Sequence, residues 1–153
     1  MALDLHAVFA NHGHVVLRRA QRMLGSQADA EDAVQEIFMA MMEHPERFRG
    51  ESSMTTYLYR VTTNHCLNRL RNQARRAELD GATMEGIAEV ATATAPMTFD
   101  AKRVLARLPE RLAHVAVHYY IDEMTHDEIA QMLGCSRRMV GKLVTKLQKE
   151  VVP

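Results

Sequence analysis

Thr125-His126-Asp127-Glu128-Ile129-Ala130-Gln131-Met132-Leu133-Gly134-Cys135-Ser136-Arg137-Arg138-Met139-Val140-Gly141-Lys142-Leu143-Val144-Thr145-Lys146-Leu147 is the stretch on which the reading of this chain turns. Thr125 is a side-chain cap for a helix to Leu133, and Glu128 three residues on completes a capping box. Gly134-Cys135 makes a tight turn, and Ser136 caps a second helix that runs to about Glu150. Ala130, Gly134, Val140 and Leu143 meet the needs of a helix-turn-helix. Those needs are a small residue where the helices cross, a glycine at the turn, and apolar residues that seat the second helix on the first. The second helix then presents Arg137, Arg138, Gly141, Lys142, Thr145, Lys146 and Lys149. Such side chains reach phosphates, and a few can reach base edges in a major groove. A plain helical hairpin with a solvated basic face is the rival reading, but spacing, caps and charge together favour duplex DNA.

Upstream, almost every periodic segment also reads as helix. A first helix is expected from about Asp4 to Met23, and a second from a Ser26 cap to about Glu43, closed by His44-Pro45. Glu46 to Ser53 is expected to be a loop, with Ser52 or Ser53 capping a long third helix from about Met54 to Ala77. On that helix Tyr57, Arg60, Asn64, Asn68, Arg71 and Arg75 recur at three- and four-residue steps and so share one face. Residues 80–98 hold Gly81, Gly86, Pro96 and Ala91-Thr92-Ala93-Thr94-Ala95, a linker composition. Helical pattern resumes near Phe99, and Pro109 opens a helix to Ile121.

The whole chain of 153 residues agrees with this pattern. Gly and Pro are few, at 7 and 4, which excludes collagen-like and low-complexity classes. The 47% hydrophobic and 25% charged content excludes wholesale disorder. Aromatics at 5% and 11 Met point to helices rather than strands. No run approaches the length of a transmembrane span, and the first residues lack the features of a secretory signal. Cys66 and Cys135 lie far apart in helical contexts, as buried small hydrophobes of a reduced, cytoplasmic chain.

Net charge is zero, yet it is laid down in blocks. Asp29, Glu31, Asp32, Glu36 and Glu43 lie in a stretch without Lys or Arg. Arg60, Arg69, Arg71, Arg75 and Arg76 follow in a stretch without acids, and Arg137 to Lys149 form a second basic block. The chain can therefore show two basic surfaces and an acidic one, each attracting partners of opposite sign. Phe48, Tyr57 and Tyr59 beside Arg47, Arg49, Arg60 and Arg71, with the Asn64 and Asn68 amides, offer stacking, phosphate and base contacts, which is single-strand chemistry. Asp29, Asp32 and Glu36 share a helix face with Gln35 beside it. Dipole complementarity explains Asp29 and Glu31 but not Glu36. An acidic helix of this kind can dock on a basic protein groove.

Asp29 to Phe38, Phe48 to Val61, Arg107-Leu108-Pro109-Glu110-Arg111 and Glu128 to Ser136 together resemble an extracytoplasmic-function (ECF, group IV) sigma factor of bacterial RNA polymerase. The motifs fall in the family's order and spacing over nearly the whole chain. The resemblance implies an all-α fold of two small helical domains: a sigma domain 2-like bundle at 1–79 and a sigma domain 4-like helix-turn-helix at 99–153, joined by a flexible linker at 80–98. It implies a non-enzymatic protein without cofactor or metal. Its partners would be core RNA polymerase (β′ clamp and β flap), promoter DNA and an anti-sigma factor, the last able to hold it at a membrane into which it does not itself insert. By position, Asp32, Gln35, Glu36, Ile37 and Phe38 resemble the core-polymerase contact. Arg47, Phe48, Gly50, Ser52 and Ser53 resemble the loop that captures a flipped −10 base, where a specific pocket must offset a few kcal/mol of unstacking. Tyr57, Arg60, Asn64, Asn68 and Arg71 resemble the face along the promoter strand. Ser136, Arg137, Arg138, Lys142, Thr145 and Lys146 fall on the resembling −35 recognition helix.

Two departures are visible. Met54 and Thr55 stand where the family commonly has an aromatic, and Gly141-Lys142-Leu143-Val144 makes the last helix more apolar than usual. With the chain ending at Pro153, no further C-terminal sensor domain is expected. His114 and His118 have the i,i+4 spacing of a metal pair, but Val115 stands where a His-Glu-x-x-His arrangement would need Glu. A stand-alone helix-turn-helix regulator is the alternative. It accounts for the C-terminal half and leaves the acidic helix and the Phe48–Tyr59 stretch without a role.

Overall fold

The structure, a computed structural model, describes residues 3–80 and 99–151. Among them there is no strand; the fold is all-α. Seven α-helices follow in order: α1 (Leu5–Leu24), α2 (Gln27–Glu43), α3 (Met54–Asp80), α4 (Phe99–Arg107), α5 (Glu110–Ala116), α6 (His126–Leu133) and α7 (Arg137–Val151). A 3₁₀ turn, Pro45–Arg47, occupies part of the expected loop before α3, and a π-helical turn, Val117–Ile121, extends α5. The linker expected at 80–98 lies outside the described residues, apart from Asp80, which ends α3.

The ends form where short polar side chains satisfy orphan backbone groups. Asp4 Oδ1 accepts from Ala7 N at 3.2 Å, and Ser26 Oγ accepts from Asp29 N at 3.3 Å. Ser53, rather than Ser52, caps α3, accepting from Thr56 N at 3.1 Å. Thr125 and Ser136 cap α6 and α7 through Glu128 N at 3.2 Å and Met139 N at 3.1 Å. Gly25 and Gly134 close α1 and α6 in the left-handed region that other residues rarely enter.

Two apolar clusters hold these helices. The smaller contains Val8, Val16, Val34, Ile37, Phe38, Met41 and Leu58, from α1, α2 and α3. The larger is continuous from the N-terminal helices to the C-terminal ones. It joins Ala20, Met23, Leu24, Ala30, Ala33, Cys66, Leu67 and Leu70 to Leu105, Leu108, Leu112, Val115, Val117, Ile129, Val140, Val144 and Leu147. α3 packs on α4, α5 on α7, and α6 on α7. Each fully buried Leu or Val contributes about 1.5–3 kcal/mol, so this shared cluster is a substantial bond between the two halves. Burial pushes the Cys66 thiol up to about 12, which removes it as a nucleophile near neutral pH.

Phe9 on α1 is half exposed and touches Phe38 edge-on at 5.1 Å between ring centres. On α3 the buried positions are Leu58, Thr62, Thr63, Cys66, Leu67 and Leu70, with Val61 and His65 only partly buried. Thr62 is tolerated in the core because its hydroxyl donates to Leu58 O at 2.6 Å.

Candidate nucleic-acid interface

The Arg47–Ser53 loop leads into α3 and sets an aromatic pair beside it. Phe48 and Tyr57 meet edge-to-face at 5.0 Å between centroids, and both are partly exposed. Gly50 has φ +72°, with open space where a Cβ would stand, so the backbone conformation alone demands glycine there. Arg47, Arg49 and Gly50 are exposed. Ser52 Oγ donates to Ser53 O at 3.3 Å, while Ser53 Oγ is committed to the cap. The loop thus offers two cations, a ring pair and one free-standing glycine turn.

The polar face of α3 is not simply solvated. Arg60 Nε donates to Met132 O, at the C-terminal end of α6, at 2.8 Å. A guanidinium there answers the unpaired carbonyls and the negative end of that helix. The Asn64 amide oxygen lies 2.7 Å from His114 Nε2. Since the amide oxygen can only accept, His114 carries its proton on Nε2. Arg71 reaches Leu108 O at 3.5 Å. Asn68 is exposed, and Tyr57 leans on the smaller apolar cluster.

Behind this face is a buried polar knot that sequence reading did not assign. Arg19, from α1, is 5% exposed. Its Nε and Nη2 donate to the two carboxylate oxygens of Asp122 at 3.1 and 2.7 Å. Nη1 donates to Tyr59 O at 3.0 Å, Nη2 also reaches Thr63 Oγ1 at 3.1 Å, and the guanidinium lies 4.1 Å from the Tyr59 ring centre. His118 Nδ1 donates to Asp122 Oδ2 at 2.9 Å. Burial alone would raise the Asp122 carboxyl, but the bonds from His118 and Arg19 outweigh it and hold the carboxyl below its ordinary range. Burial lowers His114, and its neighbour His118 adds to the effect. His114 Nδ1 and His118 Nε2 are buried without a hydrogen-bond partner. The i,i+4 histidine pair is therefore spent on Asn64 and Asp122, and among the described residues no group of three or more His, Cys, Asp or Glu could hold a metal ion. The one available sequence signal was Arg19 on the otherwise apolar stripe of α1.

α2 turns Asp32, Gln35 and Glu36 outward. The two acids are tethered from α3: His65 Nε2 lies 2.8 Å from Glu36, and Arg69 is 3.9 Å from Asp32 and 3.8 Å from Glu36. Arg69 also donates to Asp29 O at 2.6 Å. Ile37 and Phe38, expected on the same contact surface, are 1% and 8% exposed. They belong to the core, because α2 must bury one face against α1 and α3, and they hold the helix from beneath. The apolar side chains that α2 does expose are Met39 and Met42.

α7 carries Arg137, Arg138, Lys142, Thr145 and Lys146 in the open, with Ser136 at its N-terminus. Arg137 pairs with exposed Asp127 at 3.6 Å, and Thr145 donates back to Gly141 O at 3.0 Å. Among the described residues no helix is long and apolar enough to cross a membrane.

The family model described as Sigma-70 region 2 matches residues 8–76, and the one described as Sigma-70, region 4 matches residues 99–146. The chain is 29% identical to the ECF RNA polymerase sigma factor SigW of Bacillus subtilis over 142 residues, covering 84% of this chain and 74% of the relative. It is 30% identical to the ECF RNA polymerase sigma factor SigM of Mycobacterium tuberculosis over 137 residues, covering 87% and 67%. Its fold is similar to that of the sigma factor RpoE of Bartonella quintana, solved with the anti-sigma factor NepR, with a TM-score of 0.61, 18% identity and coverage of 95% and 92%.

Proposed function

The chain belongs to the ECF sigma factors of RNA polymerase, and we propose that it brings the polymerase to promoters through three separate surfaces. As a sigma factor it directs RNA polymerase to promoters and is a transcription factor, not an enzyme by identity. We assign residues 1–79 to polymerase binding and the −10 element, 99–153 to the −35 element and the β flap, and 80–98 to the connection between them.

The exposed face of α2, with Asp32, Gln35 and Glu36, docks on the β′ clamp, with Ile37 and Phe38 shaping it from within. The loop of Arg47, Phe48, Gly50, Ser52 and Ser53 receives a flipped −10 base. An edge-to-face ring pair next to exposed cations provides both stacking and phosphate contact for such a base. Tyr57, Arg60, Asn64, Asn68 and Arg71 run along the opened strand and assist melting. Ser136, Arg137, Arg138, Lys142, Thr145 and Lys146 enter the −35 major groove or grip its phosphates. The chain carries out no chemistry of its own, works in the cytoplasm on the nucleoid, and is restrained by an anti-sigma factor, as the similar RpoE is found with one.

The observation that carries this reading is the outward acidic row on α2 beside a cationic, aromatic α3 in one N-terminal unit. A stand-alone DNA binder has no use for the former. The test is binding to sigma-free core RNA polymerase, with wild type against Asp32→Ala/Glu36→Ala. Wild type should bind tightly and the pair should weaken binding at least about tenfold, ~1.4 kcal/mol, with helical content unchanged by circular dichroism. Duplex DNA bound by both proteins, with no polymerase bound by either, would overturn the reading in favour of the stand-alone regulator.

A further inference from the structure

We propose that Met39 and Met42 on α2 form a paired modification site: a peroxide converts their thioethers to sulfoxides, and the oxidised pair loosens the docking of α2 on the polymerase. The modification rests on exposure and sulfur chemistry; its effect on docking rests on the reading of α2 as the polymerase-facing helix.

Met39 follows Gln35 by four residues and Glu36 by three, and Met42 follows Met39 by three. Both thioethers therefore continue the outward row of Asp32, Gln35 and Glu36 along one side of the helix. Met39 is 50% and Met42 66% exposed, whereas Met41 between them is 4% exposed and lies in the core with Ile37 and Phe38. Helical period thus divides three neighbouring methionines into two that meet solvent and one that does not. Phe9, also exposed, leans edge-on against Phe38, one turn before Met42, and widens the apolar end of this surface. Single exposed apolar residues are ordinary. Two long, soft side chains that prolong an acidic row are a different case, since they give a basic partner an adaptable apolar contact beside the charges.

The chemistry acts on that contact. A thioether lone pair attacks one oxygen of hydrogen peroxide and the O–O bond breaks. The departing hydroxide takes the proton of the transferred oxygen and leaves as water, and sulfur keeps one oxygen as a sulfoxide. The step is undone when two thiols, acting through a methionine sulfoxide reductase, supply two electrons and two protons; they end as a disulfide, and water is released. Met39 stands one turn from both Glu36 and Glu43, which are exposed. A sulfoxide there is a polar group whose oxygen only accepts, set among carboxylates that also only accept. A partner closing over it removes its water without returning a hydrogen bond. Thiol chemistry does not compete at Cys66, which is buried with its thiol pushed up to about 12.

The experiment treats the full chain with hydrogen peroxide, removes the excess with catalase, reads each methionine by tandem mass spectrometry, and then measures binding to sigma-free core polymerase. Met23 and Met41, at 0% and 4% exposure, are the internal references. Met39 and Met42 should oxidise at least about tenfold faster than these, which react only when the fold opens. Oxidised wild type should bind polymerase about tenfold more weakly than untreated protein at unchanged helical content. Methionine sulfoxide reductases with dithiothreitol should restore binding, and dithiothreitol alone should not. Met39→Leu/Met42→Leu, compared with its own untreated sample, should show no such loss. Equal oxidation of buried and exposed methionines, undiminished binding by oxidised wild type, or the same loss in the leucine variant would sink the switch. Should that variant fail to fold or bind, wild type already bound to polymerase decides instead. There Met39 and Met42 should oxidise at least about fivefold more slowly than in the free chain, and unchanged rates overturn the proposal. Untreated wild type that binds no polymerase is a separate outcome: it removes the reading of α2, and the switch falls with it.

Discussion

On α7, Arg137, Arg138, Lys142, Thr145 and Lys146 all stand in solvent, and Arg137 is tied only to Asp127 on the surface. On α3, Arg60, Asn64 and Arg71 have a similar polar, cationic character and a similar helical spacing, yet all three contact the other half of the chain. One face waits for a partner, and the other already has an intramolecular one. The difference comes from what stands behind each face. α7 rests on Val140, Val144 and Leu147, which leave its outer side clear. α3 is flanked by the Arg19–Asp122 knot, which draws α5 and α6 across it. A polar helix face marks where a ligand can bind, whereas burial of the charges beside it decides whether that ligand is another molecule.

The contrast is broken most severely at the knot. Arg19→Ala should cost about 3–5 kcal/mol in urea unfolding, because it leaves the Asp122 carboxylate buried and unpaired, while Arg137→Ala on α7 should stay within about 0.5 kcal/mol. Near-equal costs would mean that the buried pair contributes no more than a surface one.

A smaller effect should appear with pH. His114 faces Asn64 and Arg71 on α3, Arg19 on α1, and Glu110 and His118 along its own helix. Desolvation, helped by His118, lowers its pKa from 6.5, so the folded protein favours the neutral ring. The sign follows: this contribution is complete above pH 6.5 and is lost as pH falls through 6.5 toward the depressed folded value. The lowered Asp122 carboxyl acts in the same direction only below its ordinary 3.8. Unfolding midpoints should therefore decline between pH 7 and 5, and His114→Gln, which keeps a donor toward Asn64, should flatten that slope. A slope unaltered by His114→Gln would assign the pH response to other groups.

The gentlest probe sharpens the α7 side. Gly141 lies inside α7 with no atom within 4 Å of a Cβ built there. Gly141→Ala should raise stability by about 0.5–1 kcal/mol through helix propensity alone. If it also weakens duplex DNA binding, the glycine is there for close approach to the helix; if binding is unchanged, α7 merely tolerates it.

Local features were legible because local residues cause them. Ser26, Thr125 and Ser136 announced their helices, Pro109 announced α5, and Gly134 announced the turn of the helix-turn-helix. The outward acids of α2 and cations of α7 followed from period alone. Ile37 and Phe38 lie in the core beneath the exposed acids of α2, a placement that follows from the helical period and not from the motif. The closed arrangement was not legible. Nothing near Asp122 in sequence points to Arg19, 103 residues away. His114 and His118 attracted notice for their spacing, but their partners, Asn64 and Asp122, come from tertiary packing and from a local i,i+4 contact that a metal-centred reading passes over.

The π-helical turn at Val117–Ile121 gives this arrangement an unusual dependence. Asp122 N bonds back to Val117 O at 3.0 Å, five residues earlier, so the turn holds one residue more than an α-helix would. Each residue of an α-helix turns the chain by about 100°. A one-residue deletion there would let Asp122 close an ordinary i→i−4 turn on Val117, replacing the wider turn that now sets the angle at which its carboxylate meets Arg19. The geometry of the buried Arg19–Asp122 pair therefore depends on chain length in this one turn as well as on the two side chains themselves.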